Sequence, residues 1–245
     1  MSYPNFFDSK NSLKLFGYRD NFNFLDSLYI KKNLPKVLLL TGDKGIGKST
    51  LINHFLFTVY DKENYDKNNF TIIKKSNFYN QFINNTFPNI IYINGEDFKS
   101  IKIDEIRELK KKIQQSAILN KDRFIIFDDV ELFNHNSLNA LLKIIEEPSN
   151  NFFILIDNKS KKLIDTIKSR SIEIKIILNE NNRVEITNRL IDQFDLNVLL
   201  SPISSKLSPG NFIKFNYICN EYKLNVLDEL IENLSILLNL YKKNK

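Results

Sequence analysis

Residues 42–49, Gly42-Asp43-Lys44-Gly45-Ile46-Gly47-Lys48-Ser49, constrain this chain more than any other stretch. They fit the pattern G-x-x-x-x-G-K-[ST], a loop whose backbone N–H groups close around phosphate oxygens. The loop needs a buried strand before it and a helix after it. The apolar run 37–40 supplies the first, and Thr50-Leu51-Ile52-Asn53-His54-Phe55-Leu56 supplies the second. A helix N-terminus there adds favourable partial charge for an anion. Lys48 is placed to reach the β- and γ-phosphates of a nucleoside triphosphate, with Ser49 on Mg²⁺. Such a loop reads as an α/β architecture and as a triphosphate site. It does not say whether the triphosphate is cleaved.

Downstream, apolar runs alternate with helical patterns. Strands are expected at 89–93, 123–129, 152–156 and 172–177, and helices at 104–118, 136–147 and 163–168. In the 104–118 segment Ile103, Ile106, Leu109, Ile113 and Ala117 recur at three- and four-residue spacing. Pro148 stops the 136–147 helix. This alternation predicts a five-stranded parallel sheet covered by helices on both faces. Residues 1–35 read as a lead-in segment with Phe22, Leu25 and Tyr29 at helical spacing. Residues 61–88 are Asn- and Lys-rich and predict at most one short helix.

Near residue 179 the pattern changes. Helices are expected at 180–194 and 209–222 with no strand between. Three units follow: 1–178 as the nucleotide-binding domain, 179–223 as a small all-helical lid, and 224–245 as a helix with an apolar stripe from Leu227 to Tyr241. A partner or a further segment would have to cover that stripe.

Composition narrows the class. The 245 residues are 42% hydrophobic and 26% charged, ordinary for a globular protein. No signal pattern opens the chain and no apolar run nears the ~18 residues that span a bilayer, so no membrane role is expected. Cys219 is the single cysteine, which excludes a disulfide framework and a cysteine zinc site and makes a cytoplasmic location the default. His54 and His135 are the only histidines and are expected to be ordinary helix or loop residues. The net charge of +6 suits work near nucleic acid, but biased Lys and Asn usage explains it equally well.

A triphosphatase needs a second acidic site at the end of a neighbouring strand. Asp128 closes the run 124–127 and is placed for the Mg²⁺ shell, and a solvated strand end is the weaker explanation beside such a loop. Three strings then carry a resemblance: Asp104-Glu105-Ile106-Arg107-Glu108-Leu109, Asn139-Ala140-Leu141-Leu142-Lys143-Ile144-Ile145-Glu146-Glu147-Pro148, and Ser169-Arg170-Ser171. They resemble the clamp-loader branch of the AAA+ ATPases over about residues 15–211. The resemblance implies a P-loop domain, a helical lid and the start of a helical collar, with ATP and Mg²⁺ as ligands. Residues 42–50 including Thr50, with Asp128 and Asn158, would bind the nucleotide, and Ser49 and Asp128 the metal. Arg170 would be an arginine finger acting in the neighbouring subunit's site; without the resemblance it would be a surface arginine on a basic stretch. Implied partners are other clamp-loader subunits (the gamma/tau motor and delta), and through the complex the sliding clamp and primed DNA. Many relatives carry a four-cysteine zinc module after the loop helix; residues 61–88 have no Cys, so no zinc is expected.

Two subunit types compete, the gamma/tau motor and the delta prime stator. The residue after Asp128, which usually orients the attacking water and is usually Glu, is Asp129. It is one methylene shorter, which sets the carboxylate back by roughly 1.5 Å, and a ~1 Å misplacement can cost about 10²-fold in rate. Glu131 would need an unusual turn to replace it. Asp157-Asn158 stands where motors carry Thr, and Leu207-Ser208-Pro209-Gly210-Asn211 resembles the stator's S-P-G pattern where motors place a sensor arginine. These departures favour delta prime. The intact loop argues for the motor. An unrelated P-loop kinase is remote. Lys110-Lys111-Lys112 are candidates to face DNA, a solvated helix face being at least as good an account. The twenty or so residues after the lid are too few for a collar. They are its first helix, or the chain is naturally short, or it is truncated.

Overall fold

The computed structural model describes residues 7–95, 113, 121–148 and 150–224. In chain order these form α1 (Arg19–Ile30), β1 (Val37–Thr41), α2 (Lys48–Tyr60), β2 (Tyr65–Asp66), β3 (Thr71–Ile72), α3 (Asn77–Ile83), β4 (Ile90–Asn94), β5 (Arg123–Asp128), α4 (His135–Ile145), β6 (Asn151–Asp157), α5 (Asp165–Lys168), β7 (Ile172–Lys175), α6 (Glu180–Phe194), α7 (Pro202–Ser205) and α8 (Pro209–Glu221), with short 3-10 turns between. The expected 104–118 helix, Lys110-Lys111-Lys112 and the 224–245 stripe lie almost wholly outside the described residues.

Five strands form one parallel sheet in the order β4-β5-β6-β1-β7. Strand side chains alternate between faces, and here both faces are covered. Leu38 and Leu40 of β1, Phe124 and Ile126 of β5, and Ile154 and Ile156 of β6 face α1 and α2. Val37, Leu39, Ile125, Phe127, Phe153 and Leu155 face α4. A strand buried on both sides reads as an unbroken apolar run, which is how these three appear in the sequence. Helix α2 is buried almost all round, because sheet, α1 and the 61–88 segment enclose it.

That segment departs from expectation. Besides α3 it contains the antiparallel pair β2–β3, in register Tyr65↔Ile72. Two-residue strands among Asn and Lys leave no periodic signal. Burial of Tyr65 and Ile72 against α2 holds them instead. His54 of α2 joins in: Nδ1 lies 3.0 Å from the Tyr65 hydroxyl and Nε2 2.9 Å from the Ser12 carbonyl. Both ring nitrogens are used structurally, and burial pushes the imidazole down to about 4. The last strand is shorter than expected, ending at Lys175, with Ile177 exposed.

After β7 the chain is helical. Buried Arg183 of α6 organises it: Nη1 donates to Leu207 O at 2.9 Å and Nη2 to Pro202 O at 2.8 Å, while Nε and Nη2 grip Glu180. These bonds set the path of the segment leading into α8.

Candidate nucleotide site

Three carboxyl ends of adjacent strands converge, the usual place for ligands on an open parallel sheet. Strand β6 lies between β1 and β5, pairing Thr41 with Asp157 on one side and Phe127 with Leu155 on the other. Strand order therefore puts residue 158 between the phosphate loop and Asp128.

The loop after β1 bends through Gly45 (φ 83°) and Gly47 (φ 99°), and Gly47 caps α2 in the left-handed region that favours glycine. Lys48 is buried. Its ammonium donates to Gly42 O at 2.7 Å and Asp43 O at 2.8 Å. Burial lowers its pKa to about 8, against the opposing pull of Asp128, Glu131, Asp157 and Asp43. A cation held by loop carbonyls at a helix start is what an incoming phosphate needs. Tyr18 closes the loop from outside by donating its hydroxyl to Ile46 O.

Asp128 sits at the end of β5. Its Oδ2 accepts from Ser49 Oγ at 2.6 Å and from the Tyr92 hydroxyl; its Oδ1 accepts from Asp129 N at 2.9 Å and from Asn158 Nδ2 at 3.4 Å. Ser49 and Asp128, both hard oxygen ligands in direct contact, suit Mg²⁺. Tyr92 comes from β4, one strand further out. Burial and the Asp128 charge hold its proton on.

Asp129 has φ 52°, left-handed for a non-glycine residue. Its Oδ1 accepts from Asn158 Nδ2 at 2.6 Å and its Oδ2 lies 3.4 Å from Lys44 Nζ. This left-handed turn does not bring Glu131 to the cavity. Glu131 is buried and accepts from Asn158 N, Ser160 N and Ser160 Oγ, tying the 3-10 turn after β5 to the loop after β6.

The helical segment presses on the loop from the far side. Ser208 Oγ donates to Lys44 O at 2.7 Å, Asn211 Nδ2 to the same oxygen at 3.2 Å, and Gly210 N to Gly45 O at 2.8 Å. A Cβ on Gly210 would lie 2.9 Å from that carbonyl oxygen. The Ser208-Pro209-Gly210-Asn211 string is therefore a contact to the phosphate loop backbone. Between the two parts lies a cavity of about 610 Å³, with Leu15, Phe16, Ile186 and Leu190 toward its apolar side and Lys48, Ser49 and Asp128 at its polar end.

The structure brings together Lys44, Gly45, Ile46, Gly47, Lys48, Ser49, Thr50, Asp128, Asp129 and Asn158 around this cavity. Gly42 and Asp43 reach it through their carbonyls on Lys48. Arg170 is elsewhere: it is exposed, does not line the cavity, and pairs with Glu146 through Nε at 2.8 Å. Sequence reasoning missed Tyr92 and Tyr18. The only signal for Tyr92 was its place two residues before a strand end.

A sequence model described as DNA polymerase III, delta subunit, matches residues 18–179. The chain belongs to this family of clamp-loader AAA+ subunits. The delta' subunit of DNA polymerase III from Pseudomonas aeruginosa is 34% identical over 90 residues, covering 36% of this chain and 27% of that protein. The gamma subunit from Buchnera aphidicola subsp. Schizaphis graminum is 35% identical over 83 residues, 33% of this chain and 23% of that protein. These alignments span well under half of either relative. In fold, the chain is similar to a variant of Thermotoga maritima RuvB, with a TM-score of 0.52 at 14% identity, covering 91% of this chain and 68% of that one.

Proposed function

We propose that this chain is a stator-type, delta prime subunit of the DNA polymerase III clamp loader. It binds ATP with Mg²⁺, hydrolyses it poorly, and lends Arg170 to the ATP site of a neighbouring gamma/tau subunit. Residues 1–178 form its nucleotide-binding domain and 179–223 its lid.

The observation that carries this reading is the state of Asp129. Its carboxylate is turned toward Asn158 at 2.6 Å and lies 3.4 Å from the exposed Lys44 ammonium. A group that orients water must aim its carboxylate at that water, and these two partners hold this shorter one instead. Asp129 instead helps to fix the loop. The bonds from Ser208, Gly210 and Asn211 do the same from the lid, where a sensor arginine would otherwise reach the γ-phosphate. The apolar end of the cavity accepts the base and the loop accepts the phosphates. Mg²⁺, held by Ser49 and Asp128, would neutralise phosphate charge. Arg170, exposed and outside its own cavity, is free to meet a second subunit.

The gamma/tau reading keeps one specific support, the complete loop with Lys48 buried and Ser49 against Asp128. Reconstitution with gamma/tau and delta partners separates the two. The stator reading expects a complex that loads the sliding clamp on primed DNA and that needs this chain in addition to a gamma/tau subunit. A complex in which this chain replaces gamma/tau would overturn it. The setting of such a complex is the cytoplasm.

A further inference from the structure

Asp128 is more heavily occupied than a metal-shell carboxylate needs to be. An ionised carboxylate offers about four acceptor positions. Ser49, Tyr92, the Asp129 amide and Asn158 supply four donors. Three of these are compatible with a metal. Ser49 can donate to Asp128 while turning its lone pairs outward. The Asp129 amide is local backbone. Asn158 spends its shorter bond, 2.6 Å, on Asp129.

Tyr92 is the exception. It reaches across from the neighbouring strand, where it is paired with Ile126. It shares Oδ2, the oxygen that faces Ser49. Its ring is held from behind: the Lys10 ammonium lies 4.7 Å from the ring centroid, and is itself fixed by donation to Asn85 and by the Phe82 ring at 5.9 Å. Lys10 is buried, so this support is part of the fold and not a passing surface contact.

We infer that Tyr92 is a positioning residue that lessens what a divalent metal adds to nucleotide binding here, by taking an acceptor position on Asp128 that the metal's waters would otherwise use. Mg²⁺ keeps several of its waters when bound, and their protons need acceptors. With Ser49 and Tyr92 both on Oδ2, the oxygen on the metal side has no position left for those waters. The affinity of the site then comes from Lys48 and the loop amides. Such a site retains nucleotide as a structural ligand and gains little from the metal that hydrolysis requires. The inference rests on the proposal that residues 42–49 bind ATP.

The test is the dissociation constant of ATP, measured by calorimetry on the full chain in Mg²⁺ and again in EDTA. For the wild type the two constants are expected to differ by less than about tenfold. In Tyr92→Phe the ring and its Lys10 contact stay, and only the hydroxyl goes. The EDTA constant should hold while affinity in Mg²⁺ rises about tenfold, the order of one charge-assisted hydrogen bond. A variant ratio that is unchanged or smaller overturns the inference, as does a wild-type ratio of tenfold or more, which needs no variant to fold. No ATP binding in either buffer removes the nucleotide-site reading itself, and the inference with it.

Discussion

The phosphate loop and the corner that carries Arg170 are built in opposite ways. At the loop, Lys48, Ser49, Asp128, Asp129 and Asn158 are locked to one another, and the helical segment bonds to the loop from behind. At the corner, Arg170 rests on the surface with an exposed ion pair to Glu146 and a bond to Thr166 O. An exposed pair of this kind is worth ~1 kcal/mol or less and exchanges easily for another anion. A site satisfied internally is made to hold. A cation held weakly at the surface can change partners at little cost. The contrast is what the proposed stator role expects, with binding at the inward loop and a donated cation at the outward corner.

The largest break in that contrast is at the corner. Arg170→Ala should leave ATP binding by this chain unchanged while lowering the ATPase rate of a reconstituted complex by about 10³-fold. Unchanged complex activity would remove the finger assignment.

The inward region depends on α2 being pinned from both sides, and His54 tests that by pH. Its folded pKa, about 4, lies below the ordinary 6.5. Between those values the unfolded chain binds more protons, so stability should fall as pH drops from 6.5 toward 4, by up to ~3 kcal/mol. Urea melts across that range should show the slope, and His54→Gln should flatten it.

At the loop itself, Lys48→Ala should weaken ATP binding by about 10²-fold in direct titration, since a buried charge-assisted contact is lost. The same variant should leave Arg170 able to serve a neighbour's site.

The smallest effect concerns the contact between the helical segment and the loop. Gly45→Ala meets both a left-handed φ and a Cβ position 2.6 Å from Ser208 Oγ. A cost of about 1–2 kcal/mol in thermal stability is expected, with the helical segment displaced enough to change protease sensitivity near residue 208.

These outcomes bear on what the sequence could and could not convey. Strands 37–41, 123–128 and 151–157 were legible because burial on both faces leaves a continuous apolar run. Asp128 was legible because it ends such a run beside a phosphate loop. The β2–β3 pair was not, since its two-residue strands depend on packing against His54 and α2. Tyr92 was hidden for a related reason. Its closeness to Asp128 follows from β4 lying next to β5, and strand order is a property of the whole sheet. Glu131 was weighed as a catalytic substitute. Its actual partners, Asn158 N and Ser160, belong to a loop that only the sheet brings near. The Ser208-Pro209-Gly210-Asn211 string stood out as a family pattern, but its contact with Lys44 and Gly45 needed the fold.

The most direct measurement is steady-state ATP hydrolysis by the isolated chain, with bound ATP quantified in the same sample. A loop built to hold nucleotide predicts saturable binding with turnover no greater than that of Lys48→Ala. Turnover well above that variant's would contradict the account, because it would show that the loop region cleaves what it binds.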